Sequence, residues 1–374
     1  MLAIETPEGS LTYAELAERA HAVEITAPRV ALALPPSLDF VVALHACLLA
    51  RVSVVPVDLR EPAWRLAGAG QVIERLENGG RIRGEGPSLV VHTSGTTGVP
   101  RPVELSWANI EANADAVLSA IAPGRWLCPL PLSHIGGLMV LLRAWRSRTT
   151  AVLGPADTED ITVASLVPTQ LARLIHRPPP PTLRTVMLGG APADPTLLSR
   201  ARDAGWPVRP SYGLTQACSA VTIADIGDVE TSGRPLPGLS VALEDDGEIV
   251  VSGPSVVGGS LATGDLGTFT DDGRLVVRGR KVDTIVSGGE NVMPQEVEAV
   301  LLSHPAVAEA GVFGRPSAEW GEAVTAFVVL RAPAPDLLAF VRERLAPFKV
   351  PKAIEEVGEL PRNAAGKLLR RELA

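Results

Sequence analysis

Short runs rich in β-branched and apolar residues, at positions 30–34, 52–57, 89–92 and 185–188, alternate with longer stretches of helical spacing at 40–50, 110–121 and 196–204. Continuous apolar runs mark strands buried on both faces, and an intervening helix returns the chain for parallel pairing. The alternation therefore predicts parallel βαβ units through about the first 220 residues. From Gly233 to Arg280 the texture changes to short strands at 240–243, 248–252 and 274–277 separated by glycine turns such as Asp271-Asp272-Gly273, which predicts a small antiparallel subdomain. Beyond Arg280 a helix is expected at 294–303, strands at 309–313 and 323–330, and a helix at 335–345, a compact α+β module able to fold by itself. The expected fold class is α/β: a large N-terminal domain, residues 1–281, built of βαβ subdomains and the antiparallel subdomain, then a small α+β C-terminal domain, residues 282–374. No internal repeat is present.

Composition narrows the function classes. A formal net charge of -8 with no basic footprint argues against nucleic acid or an anionic membrane as partner. The most apolar stretch, 40–57, is interrupted by His45 and Arg51 and is too short to cross a bilayer. The first ten residues show no secretory signal, so a cytoplasmic protein is expected. Cys47, Cys128 and Cys218 are odd in number and widely spaced, which suggests buried free thiols and neither a disulfide framework nor a structural metal.

The segment with most chemistry is Thr93-Ser94-Gly95-Thr96-Thr97-Gly98-Val99-Pro100-Arg101, directly after an apolar strand. Its glycines allow close backbone approach to a ligand, its N–H groups and four hydroxyls suit phosphate oxygens, and Arg101 adds a cation. Walker spacing is absent. Read alone, the run is either an exposed turn or a phosphate loop.

Further segments follow in order: Pro131-Leu132-Ser133-His134-Ile135-Gly136-Gly137, Gly189-Gly190-Ala191-Pro192, Ser211-Tyr212-Gly213-Leu214-Thr215-Gln216, Thr263-Gly264-Asp265, Gly279-Arg280, Ser287-Gly288-Gly289-Glu290-Asn291, and Pro361-Arg362-Asn363-Ala364-Ala365-Gly366-Lys367. Together with the Ser/Thr/Gly run, they resemble the motifs of the adenylate-forming superfamily, which includes acyl-CoA synthetases, luciferases and peptide-synthetase adenylation domains. The resemblance covers nearly the whole chain. It implies a ligase that uses ATP and Mg²⁺ to convert a small-molecule carboxylic acid into an acyl-adenylate, then passes the acyl group to coenzyme A. A carrier-protein thiol is the alternative acceptor, and a catalytically reduced nucleotide-binding regulator is a third reading. Many members form homodimers.

The same resemblance implies a role for each matched residue. Thr93, Ser94, Gly95, Thr96, Thr97, Gly98 and Arg101 would surround the triphosphate. Tyr212 would stack on adenine with Gly190 and Ala191 as the facing wall, beside Ser211 and Gly213. Asp265 would accept the ribose hydroxyls and Arg280 would reach the ribose or phosphate. Thr215 would donate to the α-phosphate, and Gln216 stands where a glutamate usually helps hold Mg²⁺. Lys367 would swing in to neutralise charge between carboxylate and α-phosphate. Ser133, His134, Gly190, Ser211, Leu214 and Cys218 would line the acyl pocket, with His134 positioning the acid. Lys281, Val282 and Asp283 would form the hinge about which a mobile C-terminal domain rotates, bringing Gly288, Gly289 and Glu290 toward coenzyme A. Read without the resemblance, Asp265 is a turn aspartate, Tyr212 core packing, His134 a structural hydrogen-bonder, and Arg280, Glu290 and Lys367 surface charges.

Departures from the pattern are also legible. Members of the superfamily are longer, and the phosphate loop here arrives early, which points to lost N-terminal helices and strands. Pro102 and Arg101 stand where glycine and lysine are common, and Arg is no simple substitute for Lys. Gln216 lacks the charge that hard Mg²⁺ favours. Within the superfamily, the short length, Ser287 to Val292 and the Cys218-Ser219 pair after Gln216 most resemble the o-succinylbenzoate:CoA ligases of menaquinone biosynthesis, with a CoA ligase of an aryl or other acid as the alternative. The sequence places no cation for a second substrate carboxylate.

Overall fold

The structure is a computed structural model that describes residues 1–60, 68–86, 88–94, 100–333, 336–362 and 368–373. Its described strands form four sheets. The largest has nine, in the order Arg234–Pro235, Ser219–Ile223, Val208–Leu214, Thr185–Leu188, Val163–Leu166, Trp126–Cys128, Ala151–Leu153, Leu2–Thr6 and Gly9–Thr12. Its centre is parallel, as the alternating pattern predicts. A second sheet orders Gln71–Ile73, Arg29–Leu32, Ser53–Pro56, Ser88–Ser94 and Pro100–Ser106, again parallel except for its last pair.

The departures from pure βαβ lie at the edges. The strand read at 89–92 extends to Ser94 and pairs antiparallel with Pro100–Ser106, with Thr93 opposite Arg101. Leu2–Thr6 and Gly9–Thr12 form a hairpin that seats its first strand beside Ala151–Leu153. Both are short-range turns on strands whose apolar runs look the same whether pairing is parallel or antiparallel.

Helices cover these sheets. Leu38–Ala50 starts where the Ser37 hydroxyl accepts the Phe40 N–H and stops where Arg51 adopts a left-handed conformation. It is apolar almost all round because it lies between elements on both sides. Trp107–Ala120 begins with a capping box between Ser106 and Asn109. Ile135–Arg146 buries nine of its residues, and Gly137 is required there because a Cβ would sit 2.4 Å from the Pro131 carbonyl oxygen. One large core runs through both sheets, and a second lies under the helices Pro168–Leu174 and Pro195–Asp203.

The antiparallel subdomain consists of Ser240–Leu243, Glu248–Ser252, Ser260–Phe269 and Leu275–Arg280. Downstream, Glu290–Val292, Ile285–Ser287, Gly321–Leu330 and Val307–Ser317 make a fourth sheet, to which Ala353–Glu356 adds in parallel beside Gly321–Leu330. This sheet and the helix Pro294–Leu302 have a core of their own. Among the described residues no helix is long and apolar enough to cross a membrane.

The hairpin of Val208–Leu214 and Ser219–Ile223 depends on Gly213, whose Cβ would fall 1.9 Å from the Ser219 carbonyl oxygen. Backbone cannot yield there as a side-chain end would. Gly213→Ala is expected to lower stability by about 2–3 kcal/mol, measured by urea denaturation.

Candidate nucleotide and acyl site

In parallel sheets the loops after adjacent strand ends converge, and a ligand placed there meets several of them at once. Val163–Leu166, Thr185–Leu188 and Val208–Leu214 run side by side, so Val167, Gly189 with Gly190, and Ser211 to Leu214 emerge together. The Ser211 hydroxyl donates to the Leu188 carbonyl at 2.8 Å and pins two of these ends. Gly189 must lack a side chain, since a Cβ would lie 2.8 Å from Ser211 Oγ. Gly190 has φ +80, and its Cβ would crowd Val167. Gly190, Ala191 and Gly213 are exposed at this edge, with Ser211 and Leu214 partly buried.

Asp265 arrives from the antiparallel subdomain. It stands directly across from Arg280 in the strand pair Ser260–Phe269 with Leu275–Arg280. Arg280 Nε lies 2.9 Å from Asp265 Oδ1, and the Tyr212 hydroxyl donates to Oδ2 at 2.8 Å. Tyr212 is buried as well as being placed at the strand ends, so its ring also packs in the core. Burial and the adjacent Asp265 carboxylate push the Tyr212 phenol far above its ordinary pKa, which keeps it protonated as a donor. The Asp265 N–H in turn donates to Thr263 Oγ1, whose hydroxyl donates to the Ile249 carbonyl.

Thr215 opens the 3-10 turn Thr215–Ala217 that follows the Tyr212 strand. Gln216 is half-buried there, its carbonyl accepting the Val257 N–H. No group of three or more His, Cys, Asp or Glu side chains suited to a metal occurs among the described residues. Cys218 follows in a left-handed conformation, fully buried, with its thiol pushed up to about 12 by burial. Cys47 and Cys128 are buried too. Ser133 and His134 sit half-buried before Ile135–Arg146, and His134 occupies the cap position without a side-chain cap bond. The Asp58 carboxylate is held below its usual range, first by Arg60, with His134 contributing.

Lys281–Asp283 forms a 3-10 turn between the antiparallel subdomain and the fourth sheet. Lys281 pairs with Asp246 and Glu248, and Val282 is 60% exposed. Gly288 and Gly289 take left-handed conformations in a tight hairpin from Ser287 to exposed Glu290. The Trp320 ring lies against Gly288, and the Lys352 ammonium sits 4.0 Å over that ring. Of the sequence-predicted phosphate loop, Thr93 and Arg101 are placed at the hairpin end, the Thr93 hydroxyl donating to the Arg101 carbonyl. Gly95, Thr96, Thr97 and Gly98 lie outside the described residues, as does Lys367.

One functional candidate was missed from sequence. Arg143, in the apolar stretch 138–144, is 1% exposed. Its Nη2 donates to Asn113 Oδ1 at 2.8 Å, its guanidinium lies over the Trp126 ring, and its Nε has no partner among the described residues. Asn113 is fully buried and also donates to the Ala217 and Ala220 carbonyls, which flank Cys218. Burial pushes Arg143 down to about 9, and no carboxylate among the described residues acts on it. A lone arginine at an apolar helical position was the available signal.

The chain matches the profile of the AMP-binding enzymes over residues 75–261 and that of the AMP-binding enzyme C-terminal domain over residues 296–367. It is 33% identical to the 2-succinylbenzoate–CoA ligase of Bacillus subtilis across 100% of this chain and 94% of the relative. That alignment runs over 460 residues, more than the 374 here, so this chain is the shorter within the shared region. The Bacillus licheniformis 2-succinylbenzoate–CoA ligase is 36% identical across 92% of this chain and 88% of the relative. Among solved structures, an o-succinylbenzoate CoA synthetase from Bacillus subtilis in complex with its acyl-adenylate intermediate superposes with a TM-score of 0.89 at 32% identity, covering 100% of this chain and 95% of that one.

The hydroxyl of Tyr212 is the neutral one of the two side-chain donors to a buried carboxylate. Tyr212→Phe is expected to cost about 1.5–3 kcal/mol of unfolding free energy, measured by chemical denaturation, with Asp265 still held by Arg280.

Proposed function

Because this chain belongs to the AMP-binding enzyme family, we propose that it is an AMP-forming acid–thiol ligase acting on o-succinylbenzoate, the substrate class named in its relatives. A carboxylate oxygen of the acid attacks the α-phosphorus of ATP and diphosphate leaves. The thiol of coenzyme A then attacks the acyl carbonyl and AMP leaves. The exposed edge formed by Gly190, Ala191 and Gly213 would take the adenine with Tyr212, and Asp265 the ribose hydroxyls. Thr215 would reach the α-phosphate. Mg²⁺ neutralises phosphate charge when bound, and the neutral Gln216 amide offers it a carbonyl oxygen but no charge, so its ligands would come chiefly from the nucleotide. Residues 1–281 would form the adenylating domain and 282–374 the rotating one. A cytoplasmic location fits a reaction that consumes ATP and coenzyme A.

The observation that carries the choice of acid is Arg143. A guanidinium in the core, with neither a partner for its Nε nor a carboxylate beside it among the described residues, is costly unless an anion comes to it. It lies behind the turn that bears Cys218, joined through Asn113 to the Ala217 and Ala220 carbonyls, and Cys218 is one of the residues expected along the acyl pocket. An acid with a second carboxylate would meet that cation while its reacting carboxylate faces the nucleotide. A simple aryl or alkyl monocarboxylate would leave it unpaired.

Exchange of labelled diphosphate into ATP, run with a panel of acids that includes o-succinylbenzoate, tests the first half-reaction. No exchange with any acid would sink the assignment, and comparison of free coenzyme A with a carrier-protein thiol identifies the acceptor. Arg143→Met is expected to raise KM for o-succinylbenzoate about 10- to 100-fold, the range of a charge-assisted hydrogen bond. Its effect on a monocarboxylate analogue should be small. Lys367→Ala is expected to abolish diphosphate exchange while preformed acyl-adenylate is still converted to the thioester.

A further inference from the structure

We propose that Glu248 is a positioning residue that couples the ribose loop at Gly264 and Asp265 to the hinge at Lys281, an inference that rests on the ribose and hinge readings above. The two oxygens of this one carboxylate serve different elements. Oε1 accepts the Gly264 N–H at 2.9 Å, and Oε2 accepts the Lys281 ammonium at 2.8 Å. Gly264 has φ +73, a conformation glycine adopts freely, and it directs its N–H at Glu248 one residue before Asp265. The next residue of the Glu248 strand, Ile249, holds Thr263 through its carbonyl, so the loop is fastened at two successive points.

These contacts close a ring. Asp265 pairs with Arg280, Arg280 is bonded to Lys281, Lys281 pairs with Glu248, and Glu248 holds the residue before Asp265. A ligand that draws on the Asp265 carboxylate must compete with Arg280 and bear on the Gly264 turn. The first loosens Arg280 from its carboxylate, while the second, by ordering the Gly264 turn, holds Glu248 and with it Lys281 in place, so that any net protection of the hinge by a bound nucleotide depends on Glu248. Asp246 shares the lysine but touches no part of the ribose loop among the contacts observed, so it anchors the hinge without coupling it.

Beyond Lys281 the chain is fastened differently. Asp283 pairs with Arg370 at 3.5 Å, and Arg370 pairs with buried Glu298 at 2.7 Å in the helix Pro294–Leu302. The hinge is thus anchored on one side by Asp246 and Glu248 and on the other by Arg370, with exposed Val282 between. The Arg370–Glu298 pair is largely buried, whereas the Lys281 ammonium is half in solvent; exposed ion pairs of the latter kind are weak and exchange readily, which suits a contact that must be released in each cycle.

Tryptic cleavage after Arg280 and Lys281 reads the hinge directly in the full-length protein, independently of which acid is the substrate. AMP is the probe, and its affinity is measured by calorimetry. At saturating AMP the parent should be cleaved about three- to fivefold more slowly than without it, the scale of an exposed ion pair. Glu248→Gln keeps an acceptor for Gly264 but loses the charge facing Lys281. It should bind AMP within about twofold of the parent and lose most of the protection. Glu248→Ala should lose the protection and bind AMP more weakly as well. A residue that served only stability would change unfolding temperature and basal cleavage and leave the AMP-dependent ratio intact. The coupling is overturned if AMP does not alter cleavage in the parent, or if Glu248→Gln, which is isosteric and tests the idea even should the alanine variant not fold, keeps full protection. Asp265→Ala separates the premises: unchanged AMP affinity in that variant overturns the ribose reading and the coupling with it, whereas lost affinity alongside silent Glu248 variants overturns the coupling alone.

Discussion

The Asp265 carboxylate is the point on which the site depends. It is 7% exposed, and a buried carboxylate persists only when donors replace the water it has lost. Its donors come from two different sheets: Tyr212 from the nine-stranded sheet and Arg280 from the antiparallel subdomain. The carboxylate therefore fastens the subdomain to the strand ends. The two donors differ in freedom. Tyr212 is fixed by burial, while Arg280 is 43% exposed and can move without leaving a hole. An incoming hydroxyl pair would displace the arginine before the tyrosine, which leaves one wall of the site rigid and the other adjustable.

The same sheet edge is stiffened from behind by a polar cluster that stability alone does not favour. Asn113 joins the Arg143 guanidinium to the Ala217 and Ala220 carbonyls and so fixes the turn carrying Thr215, Gln216 and Cys218. An apolar side chain at position 143 would fill the volume without a desolvated charge. That a charged group stands there, with one nitrogen unpartnered among the described residues, is the sort of local inconsistency found where a site is maintained against packing.

Much of this was legible in the chain. The strand at 185–188, those at 240–243 and 248–252, and the helix at 294–303 coincide with Thr185–Leu188, Ser240–Leu243, Glu248–Ser252 and Pro294–Leu302 to within a residue, because periodicity and caps are local properties. Asp265, Arg280, Tyr212 and the small residues at 189–191 stood out by motif, and the structure brings them to one edge, which periodicity by itself would not show. The antiparallel hairpin at Pro100–Ser106 was not legible, since an apolar run carries no record of its partner's direction. Nor was the Arg143 cluster, whose partners Asn113 and Met187 lie 30 and 44 residues away in sequence. The anchors of the proposed hinge share that character: Lys281 meets Glu248 across 33 residues and Arg370 meets Asp283 across 87.

The distribution of charge between core and surface follows the two demands on the chain. Recognition needs groups that hold one geometry, and in the interior a charge is expensive to leave unpaired, so in the proposed role Arg143 would discriminate strongly between an anion and its absence. The proposed rotation would need groups that let go, and Lys281, half in solvent beside Asp246 and Glu248, is bound by contacts that water and salt can replace. Were the two arrangements exchanged, a buried pair in place of the Lys281 contacts would resist opening of the proposed hinge, and an exposed arginine behind the proposed acyl site would tell one acid from another only weakly. The short chain keeps each kind of charge where its surroundings give it the required strength.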